Sequence, residues 1–238
     1  MKTIHRLAKR AALAGCAGAM LLAGNGAFAQ LDLQNLGSSL LGGAGASQQQ
    51  AGSTGVSQLL QSYVGANQQV LAGQASLASA MGLSGAAGQA QQAAGLLTQR
   101  GAASALTPSA LSQVGGAQQS VGQALTQAFA SRGASGGAAA GAGVDKAAFT
   151  RGLTSLGEGL TQYSHLQSGL GGLSAENPAS LLQAGLDPNN LKAASYIAQS
   201  APGQLQSIGS TLGAAVRYAT SHGIAVPDVA SSALKLLP

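Results

Sequence analysis

The chain has 238 residues, of which 36 are Gly, one is Cys and none is Trp; only 7% are charged, and the formal net charge is +5. Ordinary domains carry about 25% charged residues and about 7% Gly, so this composition excludes a charge-rich disordered tail, a disulfide scaffold and a zinc ribbon. It also supplies few of the His, Asp, Glu, Cys and Lys side chains that acid–base and nucleophilic chemistry needs, and the expectation is a protein that is not an enzyme and uses no cofactor.

The charge sits first at the N-terminus. Lys2, Arg6, Lys9 and Arg10 precede an apolar stretch from Ala11 to Ala23, and Ala27-Phe28-Ala29-Gln30 follows. A basic start, a short apolar run and an A-x-A site spell a secretory signal peptide over residues 1–29. Ala27 and Ala29 fit the small-residue positions of the cleavage site, and Gln30 becomes the new N-terminus. Thirteen apolar residues fall short of the roughly 20 needed to span a bilayer. Leu13-Ala14-Gly15-Cys16 also resembles a lipobox. Only Ala11 to Gly15 separate Arg10 from Cys16, and the apolar run continues past it, so cleavage after Ala29 is expected rather than a lipid anchor at Cys16. Cleavage leaves seven cations and six anions, scattered, for a net charge of +1. Nucleic-acid binding needs a concentrated basic footprint and loses its support. A periplasmic or secreted location follows, without disulfides, since the lone Cys leaves with the signal.

Residues 30–55, rich in Gly, Ser and Gln, read as a flexible low-complexity leader. A helical domain is expected over 56–238. Val56, Leu60, Tyr63, Val70, Leu77 and Met81 recur at alternating 4-3 spacing, with Asn67 and Gln74 on the same stripe. Gly82 offers a stop. Ser84 opens an Ala-rich helix carrying Ala87, Ala90, Ala94 and Leu97. Thr107-Pro108 is an N-cap followed by Pro at the first helical position, leading into Leu111, Val114, Val121, Leu125 and Ala128 and closing at Gly133. A Gly/Ala loop follows, and Asp145 caps a helix whose stripe is Phe149, Leu153, Leu156, Leu160, Tyr163, Gln167 and Leu170. Its Gly157 and Gly159 each cost about 1 kcal/mol of helix propensity relative to Ala, which packing must offset. Asn177-Pro178, Asp187-Pro188 and Ala201-Pro202 each place Pro where a helix begins, predicting segments 178–184, 188–200 and 202–222. Leu205, Ile208, Leu212, Ala215 and Ala219 form the last long stripe. His222-Gly223 ends it, and Val226-Pro227-Asp228 starts a short helix running to Leu237. Strand patterns are nearly absent.

Two consequences concern packing. Gly209-Ser210-Thr211-Leu212-Gly213 is a small-xxx-small face that permits close helix approach; no stretch beyond the signal is apolar enough to be a transmembrane segment. Asn67, Gln74 and Gln167 are either buried residues that set helix register or the lining of a polar groove.

Chemistry-bearing patterns are few. His165 and His222 have no ligand neighbours at metal-site spacing, so no metal site is expected. Gly133-Ala134-Ser135-Gly136-Gly137 matches G-x-S-x-G, with Asp187 and His222 following in hydrolase order, but no strand precedes it. Tyr63, Tyr163, Tyr196 and Tyr218 lie on separate helices and read as the edges of the core.

Tyr63-Val64-Gly65-Ala66-Asn67, Ala80-Met81-Gly82-Leu83, Tyr196-Ile197-Ala198-Gln199-Ser200-Ala201-Pro202-Gly203 and Gly223-Ile224-Ala225-Val226-Pro227 together resemble uncharacterised exported all-helical proteins of Gram-negative bacteria. The resemblance spans about 56–237. It implies an all-α periplasmic domain and carries no known activity or site.

The expectation is therefore an all-α bundle of about six or seven helices after a cleaved signal peptide and leader. The expected role is non-enzymatic, as a protein that associates with a partner or with itself, or as a scaffold. The alternative is a small-ligand or lipid carrier with a cavity between helices.

Overall fold

A computed structural model describes residues 48–99, 107–134, 143–173 and 187–237. Residues 1–29 with Cys16, Ala27 and Ala29, the leader from Gln30 to residue 47, Ser135 and the 178–184 segment lie outside the described residues. The described chain is all-helical: α1 (Gln48–Ala80), α2 (Ser84–Gln99), α3 (Pro108–Ala134), α4 (Lys146–Leu173), α5 (Pro188–Ser221) and α6 (Asp228–Leu234). No strand occurs among these residues.

The 4-3 stripe of α1 is the core. Val56, Leu60, Tyr63, Asn67, Val70, Gln74, Leu77 and Met81 are all buried. The helix itself reaches back to Gln48, ahead of Val56. At its other end Gly82 turns the chain at φ +69°, a conformation in which only Gly avoids a Cβ clash, and α2 starts at Ser84. Side chains cap three helix starts, two of them, Thr107 and Asp145, where the sequence placed them. Thr107 Oγ1 accepts the Ala110 N–H at 3.3 Å, and Asp145 Oδ1 accepts the Ala148 N–H at 2.9 Å. Asp187 Oδ1 accepts the Asn189 N–H at 2.7 Å. Cations close the far ends of helices: Arg132 donates to the Met81 carbonyl at 2.7 Å, and Lys146 to the Gly223 carbonyl at 3.3 Å.

Further boundaries differ from expectation: α1 begins within the expected leader, and the last helix ends at Leu234 rather than Leu237. The segments 188–200 and 202–222 are a single helix, with Pro202 inside it. A proline in a helix interior removes one hydrogen bond and crowds the preceding turn, at about 3 kcal/mol. Here the buried face runs on through Ala193, Ile197, Ala201, Leu205, Ile208 and Leu212, while Pro202 itself is exposed. Burial on both sides of the proline outweighs the local penalty.

The helices form a ring in which α1 packs on α4, α4 on α5, α5 on α3, α3 on α2 and α2 on α1. Contacts fix their senses. Gly73 meets Leu156, Val70 meets Gly159 and Leu77 meets Gly152, so α1 and α4 are antiparallel. Tyr163–Gln204 and Phe149–Tyr218 likewise make α4 and α5 antiparallel. Between α3 and α5 the facing pairs are Gly115–Gln204, Gly122–Thr211 and Phe129–Tyr218. Each helix advances seven residues per pair in the same direction, so these two helices are parallel neighbours with a heptad register. The short α6 lies across α4 and α5. Its following turn carries Leu237 onto Gly209, in van der Waals contact where any Cβ would collide. The small-xxx-small face of α5 thus receives the C-terminal turn rather than a second long helix.

Candidate functional site

Polar stripe residues converge at the middle of the bundle. Tyr63 and Tyr163, with Asn67 between them on α1, are fully buried, a correction to their expected place at the edges of the core. Their rings meet edge to face at 5.7 Å. The Tyr163 hydroxyl stands 2.8 Å from Asn67 Oδ1 and 2.7 Å from Gln204 Oε1, and the Tyr63 hydroxyl donates to the same Gln204 oxygen at 3.0 Å. Asn67 Nδ2 is engaged by the Tyr63 carbonyl at 2.8 Å. Burial holds the Tyr163 phenol well above its ordinary 10.0, and the adjacent Tyr63 adds to the effect; burial likewise raises Tyr63. Both phenols therefore remain neutral donors. The network holds the Gln204 oxygen, which leaves its Nε2 on the α3 side, where it stands 3.0 Å from the position a Gly115 Cβ would occupy.

On that side lies a cleft of about 390 Å³ between the parallel helices α3 and α5. Its polar wall is Ser112, Gln118, Gln119, Ser200, Gln204 and Ser207. Gly115, Gly116 and Gly203 form bare backbone, Tyr196 supplies an aromatic side, and Ile208 is the one aliphatic side chain of the lining. Gln118 is 3% exposed, yet neither its Oε1 nor its Nε2 has a hydrogen-bond partner, and the Ser200 hydroxyl is also unpartnered. Leaving such a group unpaired costs about 1–3 kcal/mol. Gln74, behind this wall, donates Nε2 to the Gln118 carbonyl at 3.0 Å, while its own oxygen is unpartnered.

The glycines around the ring divide by what a side chain would meet. A Cβ at Gly73 would lie 2.7 Å from the Leu156 nitrogen and 2.9 Å from the Gly152 oxygen; at Gly159 it would lie 3.0 Å from the Val70 nitrogen. At Gly157 it would sit 2.9 Å from the Ala230 Cα. These are contacts of backbone on backbone, and they supply the packing that offsets the helix penalty of Gly157 and Gly159. Gly116 and Gly203, which face the cleft, would meet nothing within 4 Å. Gly85 and Gly88 are equally unobstructed on α2 but do not line this cleft. At 116 and 203 the missing side chains keep a cleft open instead of closing a contact.

A second hollow of about 410 Å³ lies farther along the same two helices, with Phe129, Tyr218 and the exposed Arg217. Its aromatic surfaces are already stacked. Tyr218 packs on Phe149 at 5.6 Å, on Phe129 at 5.4 Å and on the His222 ring at 4.0 Å.

The remaining sequence motifs do not assemble. Asp187 caps the start of α5 and His222 ends it. They stand roughly 50 Å apart at about 1.5 Å per residue, so they cannot share a triad. His222 Nδ1 lies 2.9 Å from the Tyr218 carbonyl, at the helix C-terminus as its position implied. His165 is exposed on α4, and among the described residues no group of three potential metal ligands occurs. Asn67 and Gln74 are buried stripe residues; the side chain of Gln167 lies outside what the structure describes. Gln118 and Gln204 escaped notice in the sequence. Gln118 fills the gap between Val114 and Val121 in the α3 stripe, a signal that was present. Gln204 lies beside Leu205 and carries none.

Comparison with protein-family models, with curated proteins and with solved structures finds no match.

Proposed function

We propose that the chain is exported, with Gln30 as its mature N-terminus, and that its helical domain binds a small uncharged ligand without transforming it. The observation that carries the binding role is the cleft itself: a polar-lined hollow that two glycines keep open, with the Gln118 amide buried and unpartnered beneath its wall. A cleft of about 390 Å³ lies at the low end of the roughly 300–1,000 Å³ range of ligand pockets. Its polar lining favours a hydrogen-bonding ligand over a lipid. Association with a protein partner would draw on an exposed apolar face. Among the described residues Leu236 is the one large hydrophobic side chain that is exposed, which favours the carrier over the scaffold.

The test is native mass spectrometry of protein isolated from the periplasm, with sequencing of its N-terminus. The expected result is a chain starting at Gln30 that carries a non-covalent small-molecule adduct. A bare chain that assembles into a fixed higher oligomer overturns the carrier, and a diacylated Cys16 overturns the cleavage site. Among the described residues no helix is long and apolar enough to cross a membrane.

A further inference from the structure

We propose that the α3–α5 cleft takes a neutral carbohydrate of one or two rings, an assignment that rests on the carrier reading above. Charge gives the first restriction. No Asp, Glu, Lys, Arg or His lines the cleft, and an ion entering it would lose hydration with no counter-charge to replace it. The ligand is therefore uncharged.

Hydrogen-bonding capacity gives the second. Each of the six polar lining side chains, three amides and three hydroxyls, is both donor and acceptor. An apolar ligand would leave the Gln118 amide and the Ser200 hydroxyl as unpaired as they already are. Vicinal hydroxyls, each a donor and an acceptor on one atom, match this set: one accepts from an amide nitrogen while its neighbour donates to the amide oxygen. Ser112, Gln119 and Ser207 line the cleft with groups for that exchange, and the Gln118 amide lies unpartnered beneath its surface. Gln204 offers a donor whose orientation is set from behind, because its oxygen is held by two tyrosine hydroxyls.

Shape gives the third. Bare backbone at Gly116 and Gly203 provides surface against which a ring can lie flat, and Tyr196 provides an aromatic side for the C–H face of a sugar. A peptide needs apolar pockets for its anchoring side chains, and Ile208 alone is aliphatic here. The volume limits the ligand to a mono- or disaccharide.

The test titrates the full chain separately with glucose, galactose, N-acetylglucosamine, maltose and cellobiose by calorimetry. Triglycine serves as the amide probe and dodecanol as the lipid probe. Saturable binding of at least one neutral sugar is expected, weakened about tenfold or more in both Gly116→Leu and Gln118→Leu. Gly116→Leu places a side chain in the cleft without meeting protein atoms at its Cβ, so its melting temperature should not fall; Gly203→Leu is the second blocking variant should it do so. Sugar binding that survives both glycine variants overturns the site. Saturation by triglycine or dodecanol with no response to any sugar overturns the carbohydrate assignment and leaves the carrier intact. No response to any probe, together with no native adduct, overturns both.

Discussion

The α1–α4 and α3–α5 pairs are built from the same residue types and reach opposite ends. In the antiparallel α1–α4 pair, Gly73, Gly152 and Gly159 let backbone meet backbone, and a Cβ at any of them would overlap the facing helix. In the parallel α3–α5 pair, Gly115 and Gly122 face polar side-chain ends, Gln204 and Thr211, and Gly116 faces open space. A glycine-rich helix is therefore ambiguous by itself. What stands opposite decides whether the missing side chain becomes a contact or a cavity. Glutamine behaves likewise: Gln204 is tied into the core by two tyrosines, whereas Gln118 has a buried amide with nothing to bind.

The contrast can be broken most forcefully at the closed pair. Gly73→Val should destabilise the fold by about 3 kcal/mol, since backbone must move to admit the side chain; chemical denaturation should show a lower midpoint with an unchanged slope. Tyr163→Phe tests the bridge between the two pairs. It removes the single phenolic proton that Asn67 Oδ1 and Gln204 Oε1 share and should cost about 2 kcal/mol, while loosening the Gln204 donor at the cleft.

That variant also carries a pH signature. The folded Tyr163 pKa lies above the ordinary 10.0, so above pH 10 the unfolded chain loses a phenolic proton that the folded chain retains. Stability should be level below pH 10 and should fall as pH rises toward the folded value. Thermal melts at rising alkaline pH should show a shallower decline in Tyr163→Phe than in wild type.

At the open pair the effects are smaller and reversed in sign. Gly116→Ala should stabilise the protein by about 0.5–1 kcal/mol, because a helix gains propensity where nothing is crowded. The same change at Gly73 should destabilise it, and the pair of melting temperatures is the most direct readout of the difference between the two interfaces. Gln118→Leu should stabilise the protein by about 1 kcal/mol or more, since it removes a buried amide that makes no hydrogen bond. A large loss on denaturation would mean that Gln118 serves the fold rather than the cleft.

Much of this was legible in the chain. The helical class, the core residues of α1 from Val56 to Met81, the Thr107 and Asp145 caps, the helix start at Pro188 and the turn at Gly82 all follow from spacing and capping chemistry. Those are local properties, set within one or two helical turns. Pro202 marks where local reasoning failed: its penalty is local, but the burial of Ile197, Ala201, Leu205 and Ile208 that overcomes it comes from other helices. The polar residues show the same division. Asn67 and Gln74 stood out because they interrupt an apolar stripe, while Gln204 became visible only when Tyr63 and Tyr163, 141 and 41 positions away, closed on it.

By itself, then, the sequence determined which faces are apolar, where most helices start and stop, and that the charge of +5 belongs mostly to the first ten residues. Tertiary structure decided that α3 and α5 lie side by side in parallel, because α4, which joins them in the chain, packs instead between α1 and α5. Periodicity reports the direction in which a residue points along its own helix. It does not report what another helix places opposite, and on that depended whether each glycine closed a contact or opened a cleft.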